Sequence, residues 1–308
     1  MHDFPFDLTS SDLQSNSTFQ ELAQAEWDEH RSGNLTCPYR LLSPDPSNSS
    51  AGPLTIATGN AACFLPLPVI APSAFEGIAT RYESQDPAAH LPENSPAEIV
   101  AGYAAQQKAM AAAMRSRGSG YYNLFLRGGD SEGAIVFLHP TSRGTVYVDP
   151  REPYFAEPFV DYRTLSNPAD VEIEVEFVKF TRRYFAETRM SKYGSEETRP
   201  GAKVQTEDEL REYVFGNVSP STFHPVGTAA MMPRELAGVV DQELRVYGVR
   251  GLSVVDASVM PDLPGAYTQQ TVYAIAEKVC FSFLLFLILG RNFTAKNFQA
   301  ADLIKARA

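Results

Sequence analysis

His224 stands between Phe223 and Pro225 and runs at once into the small, tight-turning Val226-Gly227-Thr228. A neutral imidazole, with an ordinary pKa near ~6.5, can take a proton from a hydroxyl group at neutral pH. Taken alone, a loop histidine is more simply a hydrogen-bonded structural group. His2, His30, His90 and His139 have weaker surroundings, and His139, opening His139-Pro140-Thr141-Ser142-Arg143-Gly144, reads as structural. Asp256, in Asp256-Ala257-Ser258, reads by itself as a turn or helix-capping residue. Cys37, Cys63 and Cys280 lack metal-ligand spacing, so no metal site is expected. They read as buried free thiols, with a Cys37–Cys63 disulfide as the alternative.

These residues need elements to hold them. Two β-type runs, Leu244–Tyr247 and Leu252–Val255, flank a glycine-bounded turn, and a Pro/Gly-rich loop from Pro261 to Gly265 leads to an apolar helix over Gln270–Lys278. Strand, small-residue loop and helix is an order in which α/β folds bring backbone amides to a ligand. Upstream, a helix is expected over Pro96–Arg117, capped by Ser95 with Pro96 at its first position. Strands are expected at Tyr121–Leu126, Ala134–Leu138 and Gly144–Val148, the first two joined by a turn over Arg127–Gly133. A second long helix covers Pro168–Met190 with Asn167 as cap, and Thr206 to Glu209 form a capping box opening a helix to Phe215. Ile70–Pro92 reads as a proline-containing connector. Residues 1–54 read as mostly loop, with one helix over Thr18–Ser32. Helices packed on an antiparallel sheet give an α+β fold.

The motifs FHPVGTAAM, GVVD, LRVYGV, GLSVVDASVMP and TVYAIAEK resemble the C-terminal end of a glucose–methanol–choline (GMC) flavin oxidoreductase, in particular the fungal aryl-alcohol-oxidase-like branch. Leu138-His139-Pro140, Ser142-Arg143-Gly144, Asp149-Pro150 and TIATGNAACFLPL at Thr55–Leu67 extend the likeness upstream in the family order. The resemblance implies an FAD-dependent oxidoreductase acting on the CH–OH group of a small-molecule alcohol, aromatic or polyketide-like. It places His224 at the position of the general base, with the hydride passing to the flavin. The second catalytic position, 43 residues later, is a His or Asn in relatives and is Tyr267 here. A phenol, with pKa near ~10, is a poor base but can hydrogen-bond a substrate oxygen. That departure leaves open a redox-silent lyase or cyclase on the same fold, of the hydroxynitrile lyase or versicolorin B synthase type, or an inactive truncated product. Asp256 and Ala257 match the turn that approaches the flavin's pyrophosphate and ribityl chain, and Thr268 and Gln269 match residues beside its ring.

The resemblance also divides the chain. Residues 1–54 correspond to a loop-rich entrance segment, 55–239 to a substrate-binding domain, and 240–278 with 300–308 to a C-terminal return to an FAD-binding domain. No Gly-x-Gly-x-x-Gly occurs in the sequence, so the chain is expected to be the C-terminal portion of a longer protein, with the full FAD site not present and poor binding of FAD on its own. Val279–Gln299 interrupts a family reading AIAEK-AADLIKARA. Val279-Cys280 and Gln299 can be encoded as splice donor and acceptor, so the segment reads as a retained intron. Its apolar run of 12 residues, Val279–Gly290, falls short of the ~20 that span a bilayer, although a tail anchor over 279–290 is the competing reading.

The net charge of −11 argues against nucleic acid or an anionic membrane as partner. Acceptor patterns for glycosylation at Asn16, Asn34, Asn48 and Asn217, with the resemblance, point to a secreted parent.

Overall fold

The computed structural model describes residues 2–5, 7–9, 61–126, 133–189, 191 and 196–289. In chain order its strands and helices begin with β1 (His2–Pro5), β2 (Asp7–Thr9), β3 (Ala61–Leu65), α1 (Leu67–Ile70), α2 (Phe75–Glu83), α3 (Ala97–Arg115), β4 (Tyr122–Leu126) and β5 (Gly133–Phe137). They continue with β6 (Thr145–Tyr147), β7 (Phe159–Asp161), α4 (Pro168–Glu187), β8 (Glu196–Arg199), α5 (Glu207–Asn217) and α6 (Gln269–Leu289). The fold is α+β. Its central antiparallel sheet has the order β1-β5-β4-β3, and β2 with β8 and β6 with β7 form two smaller antiparallel pairs.

Alternation along the middle strands gives the sheet two different faces. Tyr122 and Leu124 of β4, with Ile135 and Phe137 of β5, join the main core beneath the helices. Phe177 of α4 meets the rings of Tyr122 and Phe137 edge-on, at 5.2 and 5.4 Å. Tyr82 of α2 and Met110 and Met114 of α3 close the same core. The opposite face carries Asn123, the register partner of Val136. On that face Val136 and Leu138 pack with Leu263, Val226 and Tyr267. Helices therefore cover one side, and the segments bearing the candidate chemistry cover the other.

Local signals account for most element ends. The Asn167 side chain accepts the Ala169 amide at the start of α4, with Pro168 following. Thr206 and Glu209 complete a reciprocal capping box on α5. Other ends differ from the sequence reading. Ser95 does not cap α3: its hydroxyl donates to the Pro92 carbonyl at 2.7 Å, and Pro96 takes the cap position. Within the supposed connector Ile70–Pro92, α2 fits between Pro72 and Pro87, with Ile78, Ala79 and Tyr82 as its buried stripe. Segment 1–54, read as mostly loop, supplies β1 and β2; β1 pairs with the edge of β5 through backbone hydrogen bonds, which no side-chain pattern advertises. The expected helix over Thr18–Ser32 and most of the turn after Leu126 lie outside the described residues.

The runs Leu244–Tyr247 and Leu252–Val255 do not form strands. They meet through a single antiparallel bridge, Arg245 to Ser253, while Val246 bridges Val240. Leu244 adopts φ +64°, and Gly248 and Gly251 are also at positive φ, so the extended conformation is broken at both sides of the turn. Cys63 and Cys280 are free thiols but exposed rather than buried, and Cys37 lies outside the described residues. Helix α6 continues past Lys278 to Leu289. Among the described residues no helix is long and apolar enough to cross a membrane.

Candidate active site

A cavity of about 630 Å³ opens between the N-terminal half of α3, the loop after β5, the β6–β7 hairpin and the segments 220–228 and 261–263. Its floor is fixed by a buried carboxylate. Asp170, in the first turn of α4 and fully buried, accepts from the Thr141 amide (2.7 Å), the Thr141 hydroxyl (2.7 Å) and the Ser142 amide (2.9 Å). The Ser142 hydroxyl in turn accepts the Asn167 amide, and the Tyr103 hydroxyl donates to the Thr141 carbonyl. The loop is thus pinned from several sides, and it presents Arg143 to the cavity. The Arg143 guanidinium lies 5.4 Å from the centre of the Tyr103 ring and donates to the Pro140 and Ser142 carbonyls. Gln106 of α3 donates to the Pro261 carbonyl at 2.8 Å, tying the helix to the loop on the far side.

His224 lies on the cavity wall. The backbone around it is bent: Phe223 is at φ +62° and Gly227 at φ +88°, the second a conformation that glycine alone adopts without strain. The Phe223 amide donates to the Ser221 hydroxyl, and the Phe223 ring is almost wholly exposed. Nδ1 of His224 and the hydroxyl of Thr268 share a hydrogen bond of 2.6 Å. Partial burial lowers the His224 pKa from its ordinary value, which favours the neutral imidazole.

Tyr267 and Thr268 reach His224 from the turn into α6. Tyr267 is at φ +64°, and its ring centre lies 5.2 Å from that of His224 and 5.8 Å from that of Phe64. Its hydroxyl donates to Oδ1 of the fully buried Asn123 at 2.6 Å, so the phenol oxygen points to the sheet. The Asn123 amide donates to the Cys63 carbonyl on β3. Thr268 is buried, and its carbonyl accepts the Val272 amide as the first helical bond of α6.

His139 sits behind this loop, against the Tyr121 ring and 4.0 Å from Asp262. Burial lowers its pKa although Asp262 pulls the other way. A Cβ at Gly265 would lie 3.1 Å from both the Gly120 carbonyl and His139 Nε2, so a side chain here would crowd both neighbours.

The structure therefore brings His224, Tyr267 and Thr268 together. Asp256 and Ala257 open the short 3-10 helix Ala257–Val259, where the exposed Asp256 carboxylate accepts the Ser258 amide. Gln269 is exposed at the start of α6. Asn123, Phe64, Tyr103 and Arg143 contribute to the site's surroundings without having been singled out from sequence. A polar residue inside an apolar strand was the available signal for Asn123.

Comparison with known proteins gives consistent matches. Residues 140–276 match the family model described as GMC oxidoreductase. The dehydrogenase xptC of Emericella nidulans is 32% identical over 206 residues, 67% of this chain and 33% of that protein. An FAD-dependent oxidoreductase from Chaetomium thermophilum superposes with a TM-score of 0.75 at 26% identity, over 92% of this chain and 46% of that one. A fungal aryl-alcohol oxidase gives a TM-score of 0.72 at 29% identity, over 91% of this chain and 46% of that one. The chain matches about a third or less of the length of its curated relatives, and under half that of these solved structures.

Proposed function

We propose, for a chain whose residues 140–276 belong to the GMC oxidoreductase family, that it is the substrate-side portion of an FAD-dependent enzyme oxidising a small alcohol, with His224 as the base. The observation that carries the reading is an imidazole on the wall of a cavity of about 630 Å³, tied through Nδ1 to Thr268. Imidazole nitrogens point to different sides of the ring, so with Nδ1 anchored on Thr268, Nε2 is the nitrogen left to take the hydroxyl proton when Nδ1 carries the ring's own. The substrate class, an aromatic or polyketide-like alcohol, follows from the likeness to aryl-alcohol oxidase and from aromatic walls at Tyr103 and Tyr147.

FAD, when bound, supplies the hydride acceptor. The residues present fit one edge of its ring system. Bonding of Val272 to Thr268 leaves the preceding amides of α6 as outward donors at the positive end of a long helix, and Gln269 is exposed beside them. Asp256 is the candidate for the flavin's pyrophosphate and ribityl side, with Ala257 next to it. The Thr268 hydroxyl already serves His224.

The departure at Tyr267, whose hydroxyl is engaged by Asn123, keeps a redox-silent lyase or cyclase as the second reading. One experiment separates the two. In the FAD-bound parent protein that contains this chain, a benzylic alcohol should bleach the flavin under anaerobic conditions, and His224→Ala should slow bleaching by about 10²–10⁴-fold. Turnover of substrate with the flavin still oxidised sinks the oxidase reading in favour of the lyase.

A further inference from the structure

We infer that Asp262 sets which charge an alcohol in this cavity can carry, favouring an aromatic alcohol with an ammonium group and rejecting one with a carboxylate. The inference rests on the proposed function only in taking the cavity as the place where the alcohol binds.

Among the described residues, the charged side chains lining the cavity besides His224 are Glu93, Asp161, Asp262 and Arg143. The guanidinium is occupied within the wall. Its Nη1 donates to the Pro140 and Ser142 carbonyls, and its Nη2 to Gln106 Oε1 and Met110 Sδ. Arg143 therefore offers no free fork to a carboxylate on a ligand, and its single charge leaves the carboxylates in excess.

Asp262 is the carboxylate held beside the candidate chemistry. The next residue, Leu263, packs with Val226 and Tyr267, and the Tyr267 ring lies against His224. The preceding Pro261 carbonyl is held by Gln106 of α3. The carboxylate itself is fixed on one side, where Oδ1 accepts the Leu263 amide at 2.8 Å. Oδ2 lies 4.0 Å from His139 Nδ1, and among the described residues no lysine or arginine pairs with it. His139 is a poor countercharge, because burial disfavours its protonated form. The Asp262 side chain keeps 37% of its surface exposed on the cavity wall. A fixed carboxylate without a cation, reachable from the cavity, attracts an ammonium group and repels a second carboxylate.

The test uses the chain without flavin. Three benzylic alcohols of similar size, carrying a para aminomethyl, ethyl or carboxylate group, are titrated into chain labelled with carbon-13 at its five histidines. His224→Gln identifies the His224 ring signal by its loss, and movement of that signal reports binding in this cavity. The ammonium compound should bind about fivefold tighter than the ethyl compound, and the carboxylate weaker by a similar factor. Asp262→Asn, which keeps an oxygen for the Leu263 amide, should remove most of this order, and Asp262→Glu should retain it. Added salt should narrow the order in the unsubstituted chain. Equal affinities, tightest binding of the carboxylate, no binding of any of the three, or an order that survives Asp262→Asn or added salt overturns the inference. If the order holds while a benzylic alcohol leaves the flavin of the FAD-bound parent oxidised, the charge selection stands and the oxidase reading falls.

Discussion

Asp170→Asn is the substitution with the clearest consequence for the cavity. The carboxylate is fully buried and accepts three hydrogen bonds, two from Thr141 and one from the Ser142 amide. Both Thr141 donors converge on Oδ1 and the Ser142 amide meets Oδ2, so an asparagine that keeps its oxygen toward Thr141 must turn an NH₂ group toward the Ser142 N–H. Hydrogen bonds to a charged acceptor contribute about 1.5–3 kcal/mol each, and neutral ones about 1 kcal/mol. Losing one such bond outright, weakening two and leaving a buried amide donor facing another donor should cost about 2–4 kcal/mol. The effect should be local as well as global, because the loop carries Arg143 into the cavity wall. Denaturant titration reads the first part. Trypsin reads the second, since cleavage after Arg143 requires the loop to leave its place. The variant should unfold at lower denaturant and be cut after Arg143 faster than the parent. A variant as stable as the parent and cut no faster would refute the claim that this carboxylate holds the loop.

Tyr267→Phe keeps the ring beside His224 but removes the donor to Asn123, stranding a buried amide oxygen. It should lower stability by about 1–3 kcal/mol in a denaturant titration; an unchanged midpoint would show that the bond contributes nothing. Acid should destabilise the fold through two partly buried histidines. Burial lowers the pKa of both His224 and His139, so below their ordinary value of about 6.5 the unfolded chain binds more protons than the folded one. Stability is fully present above that pH and is lost as pH falls through the lower folded-state values. Melting temperature measured down a pH series should show the loss, and His139→Gln should reduce it.

Much of this arrangement can be read from sequence, and what cannot has physical reasons. The long helices α3 and α4 show themselves by periodicity and by Asn167-Pro168, and α5 by its capping box. Helix α2 hides because prolines on both sides read as punctuation, although nine residues between them suffice for a buried stripe. Pairing of β1 with β5 is carried by backbone groups, on which side-chain patterns are silent. Leu244 at positive φ breaks a run whose composition favours a strand. At the site, the FHPVGT motif isolates His224, but its bond to Thr268 spans 44 positions and the Tyr267–Asn123 bond spans 144. Contacts of that separation depend on the sheet's register, which the sequence does not state.

The register also explains why Asn123 is tolerated where it is. On the helix-covered face an unpaired amide would cost several times the net gain of an ordinary hydrogen bond, and the neighbouring positions Tyr122 and Leu124 are accordingly apolar or aromatic. Asn123 points to the other face, where Tyr267 donates to its oxygen and its own amide reaches the Cys63 carbonyl. A one-residue slip of β4 against β5 would turn Asn123 into the main core and Tyr122 out of it, so the slip is strongly disfavoured. The polar residue therefore helps to lock the register that positions it. The same register fixes where the Tyr267 ring can rest, and through that ring the orientation of His224 depends on strand pairing far from it in sequence.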